Sequence, residues 1–119
     1  MADEHLLENA LVVSNEKAIV NFSRKNNLDL EQEVSTNKKL IHQNEDDATA
    51  YYNLGSAYFY QKRYNHALAC FKKSIRLQPD YANTHNNLGA VYQQIGKEHQ
   101  AIQAYEKAIR LSPDIPSSY

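Results

Sequence analysis

Two consecutive segments of this chain repeat each other with a period of 34 residues, at positions 48–81 and 82–115. Identical residues recur at matching places in the two copies: Asn53/Asn87, Leu54/Leu88, Gly55/Gly89, Tyr58/Tyr92, Ala67/Ala101 and Pro79/Pro113. A fixed period of this length is typical of a solenoid, in which each unit buries its apolar face only by stacking on its neighbours. The repeat therefore predicts an extended binding surface rather than a catalytic pocket.

Length and charge exclude several classes of protein. The chain has 119 residues, enough for one domain, and its 13 basic and 14 acidic side chains leave a net charge of −1. Nucleic-acid binders carry a basic excess that neutralises phosphates, so we expect no nucleic-acid partner. No apolar run approaches the roughly 20 residues that span a bilayer, so we expect no membrane insertion.

The expected location is the cytoplasm. The first residues lack the basic start and apolar core of a signal peptide. The single cysteine, Cys70, cannot form a disulfide within the chain, and its helical surroundings favour a small buried thiol in a reducing compartment.

Apolar spacing within each copy is that of two helices joined by a short turn. The predicted helices are 48–61 and 65–78 in the first copy, and 82–95 and 98–111 in the second. Pro79 and Pro113 prevent the second helix of each copy from continuing. Gly96 supplies backbone freedom for the turn of the second copy, whereas Lys62 stands at that place in the first. The predicted fold is all-α.

Recurring small and large residues predict close packing of the two helices in each copy. Gly55 and Ala67 are small where the first pair would cross, and Tyr58 and Phe71 are large enough to fill the adjacent space. The residues expected to have structural roles are Leu54, Gly55, Tyr58, Ala67, Phe71 and Pro79, with Leu88, Gly89, Tyr92, Ala101, Tyr105 and Pro113.

These residues carry a family resemblance. The first copy reads Tyr51-x-x-Leu54-Gly55-x-x-Tyr58, then Ala67-x-x-x-Phe71, then Pro79. This pattern resembles the tetratricopeptide repeat, and the second copy repeats it with His85 where the family often has an aromatic residue. The resemblance covers residues 48–115 and implies a right-handed α-α superhelix, a solenoid of antiparallel helix pairs.

Residues 1–47 do not repeat the motif but carry helical signals. Residues 3–13 have an apolar stripe, and 15–25 and 30–43 have helical apolar spacing, with Asp29 as a candidate N-cap. We interpret 15–43 as a diverged helix pair that covers the exposed face of helix 48–61. The alternative is a partly disordered leader, because the segment is rich in Asn, Glu and Lys.

Residues 116–119 form either the start of a truncated third repeat or a tail. Solenoids generally need three or more units and a polar cap. Ala101, Ala104, Tyr105 and Ala108 of the last helix are therefore expected to meet water unless something covers them. The chain is then either a fragment of a longer array or a unit covered by another copy of itself.

The resemblance also implies a binding surface, because the first helices of such repeats line the concave face. The implied contacts are Thr49, Tyr52, Asn53, Ser56, Phe59 and Tyr60 in the first copy, and Asn83, Asn86, Asn87, Ala90, Gln93 and Gln94 in the second. This surface is rich in amides and aromatic rings and almost free of charge. The rings of Tyr52, Phe59 and Tyr60 could hold an apolar ligand side chain or pack against the N-terminal helices instead.

Asn53 and Asn87 occupy the same position in consecutive units. An asparagine side chain both donates and accepts, so a row of them suits an extended peptide backbone. The arrangement is similar to the asparagine ladder of O-linked N-acetylglucosamine transferases. The alternative is that both residues only hold neighbouring helices in register.

We therefore predict a protein–protein interaction module that binds an extended peptide or a helix of a partner on its concave face. The alternative is a homo-oligomeric scaffold that assembles through its last helix or its N-terminal segment. His66 and Cys70, four residues apart, could form half of a zinc site, but no second pair accompanies them. No catalytic motif is present, so we expect no enzymatic activity, no metal and no cofactor.

Overall fold

The computed structural model describes residues 26–112, which form five helices. These are α1 (Asn27–Gln43), α2 (Ala48–Tyr60), α3 (Tyr64–Leu77), α4 (Ala82–Gln94) and α5 (Glu98–Leu111). Each helix packs against the next one along the chain, in sequential antiparallel pairs. The predicted all-α fold is confirmed, and the four helices predicted within the two copies are correct to within one residue at each end.

Helix α1 begins earlier than predicted. Its N-cap is Asn26, whose side-chain oxygen accepts a hydrogen bond of 2.9 Å from the backbone N–H of Asp29. The prediction of Asp29 as the cap was wrong, because Asn26 already satisfies the amide of Asp29 and lets the helix start a turn sooner. The segments 3–13 and 15–25, for which helices were predicted, lie outside the described residues.

Helix α1 belongs to the same hydrophobic core as the first repeat. Leu30 and Val34 are buried together with Leu54 and Ala57 of α2. Because these side chains are spaced three or four residues apart, they form one stripe along each helix. Helix α1 thus packs against α2 and joins the core of the first repeat, although its sequence lacks the repeat motif.

Close helix crossings occur where the repeat has glycine. A Cβ atom placed on Gly55 would lie 2.8 Å from a ring carbon of Phe71, and one on Gly89 would lie 2.8 Å from the ring of Tyr105. Real Cβ atoms do not approach carbon that closely, so each large ring fills the space that a side chain would need. The predicted pairing of small and large residues is confirmed at both crossings.

The turns within the two copies have the same geometry despite different residues. Lys62 has φ of 62° and Gly96 has φ of 80°. In the first copy the N–H of Arg63 donates to the carbonyl of Tyr58 at 2.8 Å, and in the second the N–H of Lys97 donates to that of Tyr92 at 2.8 Å. Lys62 therefore adopts the left-handed conformation that costs nothing for glycine.

We expect Lys62→Gly to raise the free energy of unfolding. Relief of the left-handed strain, about 1 kcal/mol, exceeds the entropy that glycine adds to the unfolded chain, so the net gain is a few tenths of a kcal/mol. Urea denaturation measures it. Ala69→Gly, on the exposed side of α3, is the control and should cost about 1 kcal/mol. An equal loss of unfolding free energy in the two variants would show that Lys62 carries no left-handed strain.

The departure from the family pattern at His85 has a structural reason. Its side chain is buried, and its Nε2 donates to the carbonyl of Pro79 at 2.8 Å, at the connection between the two repeats. Ser74 makes a similar bond within the first repeat, from Oγ to the carbonyl of Ala48 at 2.9 Å. The carbonyl of Pro79 lies beyond the end of α3, where the helix offers it no partner, and the bond to Ala48 joins α3 to the first turn of α2.

The last helix does not leave its alanines in water. Ala101, Ala104 and Ala108 have exposed fractions of 2%, 7% and 4%, so the expectation that they would meet solvent was wrong. Helix α5 packs along α4, and the half-buried Tyr105 lies against the Gly89 side of that contact. The one large hydrophobic side chain exposed on α5 within the described residues is Ile102.

Candidate functional site

Helices α1, α2 and α4 border a groove of about 510 Å³, called here the amide groove. Its lining residues are Glu33, Asn37, Tyr52, Asn53, Ser56, Ala57, Tyr60 and Asn87. Asn37, Asn53 and Asn87 come from three different helices, so the groove presents amide side chains along its length. Stacking of the repeats creates this surface, because no single helix pair contains it.

Most of the predicted contact residues lie on one continuous surface. Tyr52, Asn53, Ser56, Tyr60 and Asn87 line the amide groove. Thr49 lines an adjoining depression that also includes Tyr52, Asn53, Gln78 and Tyr81. Phe59 and Ala90 line a small pocket that shares Ser56, Tyr60 and Asn87 with the groove.

Four predicted residues of α4 line none of these three depressions: Asn83, Asn86, Gln93 and Gln94. The direction in which these side chains point explains why they lie outside the depressions. Asn86 holds the position of Tyr52, and Tyr52 faces the junction with the second copy, where its ring contacts Tyr81, the N-cap residue of α4. Gln93 instead accepts a hydrogen bond of 2.6 Å from the hydroxyl of Tyr105.

Sequence reasoning missed the two residues that α1 contributes, Glu33 and Asn37. Asn37 is buried, and its Nδ2 donates to the backbone carbonyl of Glu33 at 2.9 Å. The repeat spacing could have indicated Asn37, because this residue stands 34 positions before Phe71. It places an amide where the repeat has a large ring. Glu33 adds a carboxylate to a surface that was expected to be almost uncharged.

Tyr52 connects the two repeats at the floor of the groove. Its ring packs edge-to-face on Phe71 at 6.0 Å and on Tyr81 at 5.7 Å. Burial raises the pKa of the Tyr52 hydroxyl above its usual value, and a hydrogen bond to the side chain of Asn87 partly opposes that rise. The hydroxyl therefore stays protonated at neutral pH.

The two repeat asparagines consequently differ in their surroundings. The Asn87 side chain is half-buried and lies near the Tyr52 hydroxyl, whose pKa it lowers. The Asn53 side chain is exposed and lines both the amide groove and the depression beside Thr49. Asn53 therefore faces the open part of the groove, while Asn87 lines both the groove and the small pocket that includes Phe59 and Ala90.

Residues His66 and Cys70 offer little as a metal site. Cys70 is buried, and burial raises the pKa of its thiol to about 11, a change that the nearby Lys38 ammonium slightly opposes. The His66 ring lies 5.1 Å from the ring of Tyr58. Within residues 26–112, no three His, Cys, Asp or Glu side chains lie close enough together to hold a metal ion.

The raised pKa of Cys70 predicts slow alkylation of the folded protein. A rise from 9.0 to about 11 lowers the thiolate fraction at pH 8 by roughly a hundredfold, and thiolate is the reactive form. Reaction with iodoacetamide should therefore be at least roughly a hundredfold slower in buffer than in about 8 M urea, in which the protein is unfolded. Equal rates would show that the thiol is accessible in the folded state.

Comparison with known proteins agrees with this geometry. A family model for the tetratricopeptide repeat matches residues 46–114. The chain belongs to the tetratricopeptide repeat family. Members of this family are typically non-catalytic and bind other proteins, so protein partners are indicated for this repeat protein. No helix in the described part of this tetratricopeptide repeat protein has both the length and the apolar character needed to cross a membrane.

Two solved structures of MamA are similar to this tetratricopeptide repeat protein. The crystal structure of MamA shares 33% identity over 76% of this chain, with a TM-score of 0.73. A second structure, MamA AMB-1 in a P212121 crystal form, shares 23% identity over 73% of the chain, with a TM-score of 0.68, and shows the fold alone. The present chain spans 53% and 48% of those two chains. No curated protein matches this chain in sequence.

Proposed function

We propose that this repeat protein binds an extended peptide segment of a partner protein along the amide groove. The observation that carries the proposal is the exposed Asn53 amide in an open groove that Asn37 and Asn87 also line from the two flanking helices. Amide side chains can donate to peptide carbonyls and accept from peptide N–H groups, so they recognise backbone rather than a particular side chain.

The aromatic residues of the groove supply the apolar part of the surface. Tyr52 and Tyr60 line it beside the amides, and Tyr52 is fixed by its contacts with Phe71 and Tyr81. Fixed rings cost little entropy on binding, which makes them suitable anchors. The ligand itself loses freedom when it becomes ordered, so we expect modest affinity.

The proposal places the protein in the cytoplasm, in agreement with a buried, unpaired Cys70 thiol. Self-assembly through the last helix receives less support, because the α5 alanines that suggested it are buried.

A peptide selection tests the proposal. A random peptide library displayed on phage would be selected on the whole chain, and the affinity of single peptides measured by fluorescence anisotropy. Asn53→Ala should weaken binding about tenfold, because two hydrogen bonds to a peptide group are worth roughly 1.4 kcal/mol together. Asn53 is exposed, so the thermal midpoint should not change.

The matched control is Asn65→Ala, which removes an exposed amide from α3, outside the three depressions. It should leave peptide affinity unchanged. Equal affinities of wild type and Asn53→Ala would contradict the proposed contact. A library that yields no binding peptide would end the peptide-binding hypothesis as a whole.

A further inference from the structure

A small pocket of about 70 Å³ opens between α2 and α4, called here the side pocket. Its lining residues are Ser56, Phe59, Tyr60, Phe71, Asn87 and Ala90. Ser56, Tyr60 and Asn87 also line the amide groove, so the pocket and the groove are continuous. A peptide lying in the groove would therefore pass over the mouth of the pocket.

Core contacts hold the walls of the side pocket in place. The Phe71 ring is only 1% exposed, lies against the backbone of Gly55 and packs edge-to-face on Tyr52. The Phe59 ring packs edge-to-face on Tyr60 at 5.8 Å and on Tyr64 at 5.5 Å. Since these contacts do not involve a ligand, the pocket is preformed, and a ligand that fills it need not order its walls.

The size of the side pocket restricts what it can hold. A cavity needs at least about 10–15 Å³ to hold one water molecule, and a cavity of about 150 Å³ holds benzene. At about 70 Å³, the side pocket fits a branched aliphatic group of three or four carbons and is too small for an aromatic ring. Three rings and the Ala90 methyl group supply the apolar part of its surface, and Ser56 and Asn87 supply polar groups beside them.

Charge restricts the neighbouring positions of the ligand. Among the described residues that line the groove and the pocket there is a carboxylate, Glu33, and there is no Lys, Arg or His. An acidic ligand would approach this surface without a positive group among these residues to receive it, so a segment without acidic side chains is favoured.

We propose that the side pocket takes one valine, leucine or isoleucine side chain of a partner segment that carries no acidic side chain beside it. At the shared rim, Asn87 hydrogen-bonds to the peptide group next to that side chain. The inference rests on the proposed function for the identity of the natural ligand. The preference of the pocket itself can be measured with single blocked amino acids.

The experiment titrates the whole chain with N-acetyl amino acid N-methylamides and follows the Ala90 methyl and Ser56 amide resonances by NMR. The valine and leucine compounds should give saturable shifts, with affinity about tenfold above those of the alanine, phenylalanine and glutamate compounds. Ala90→Leu fills the pocket from within and should remove this preference. Ala69→Leu, on the exposed side of α3, is the matched control and should retain it.

Saturable shifts with the same affinity for valine and phenylalanine would overturn the proposal, while a peptide groove could still exist. Absence of saturable shifts with every compound would overturn it as well, and the phage selection would then decide about the groove separately. Retention of the valine preference in Ala90→Leu would place the aliphatic site elsewhere. If Ala90→Leu fails to fold by circular dichroism, Ala90→Val replaces it.

Discussion

Gly55→Leu is expected to unfold the first helix pair. A Cβ atom at this position would already lie 2.8 Å and 2.9 Å from two ring carbons of Phe71, and leucine adds three further carbons beyond it. Phe71 cannot move aside, because its ring is 1% exposed and packs edge-to-face on Tyr52. Overpacking a well-filled core usually costs about 1–3 kcal/mol, and we expect the upper end or more here.

The measurement is the free energy of unfolding by urea, with circular dichroism as the probe. Thr49→Leu places the same side chain on the exposed side of α2 and is the control; it should change stability by less than about 0.5 kcal/mol. A Gly55→Leu variant with the stability of wild type would show that α2 and α3 do not cross at this glycine.

Phe71→Ala is expected to cost about 3–5 kcal/mol, because it removes a fully buried ring and leaves a cavity between α2 and α3. Tyr105 occupies the same repeat position in the second copy but is only half-buried. Tyr105→Ala should therefore cost less, about 1–2 kcal/mol from lost apolar burial. Urea denaturation of the two variants compares them directly, and the opposite order would contradict the burial found for the two rings.

A double-mutant cycle connects these predictions. In the Phe71→Ala background, Gly55→Leu should cost less than in wild type, because the ring that leucine would strike is gone. If Gly55→Leu has the same cost in both backgrounds, the loss of stability does not arise from contact with Phe71. Phe71 is also one of the residues that line the side pocket.

Much of the fold could be predicted from the repeat, because local rules determine it. Apolar spacing gave the four helices of the two copies, and Pro79 and Pro113 marked their ends. The turn at Lys62 was also predictable, since Gly96 at the equivalent place requires a left-handed residue. Helix α1 was found less accurately, because its cap depended on which of two polar residues, Asn26 or Asp29, bonds the first turn.

The candidate site was predictable only in part. The resemblance assigned contacts by position within one repeat, and this worked where a following unit was present, as at Tyr52 and Asn53. It did not indicate Glu33 and Asn37, because α1 lacks the motif. Such contacts depend on the distance between helices that are far apart in sequence.

The 34-residue period by itself determined the four helices of residues 48–111, the helix crossings at Gly55 and Gly89 and the family. Spacing and side-chain size act between neighbours along the chain, which is why a sequence can express them directly. Only the tertiary structure decided that α1 joins the core, that residues of three helices line one groove and that a small pocket opens beside Asn87. These features arise from the stacking of separate helices, whose relative positions no single repeat specifies.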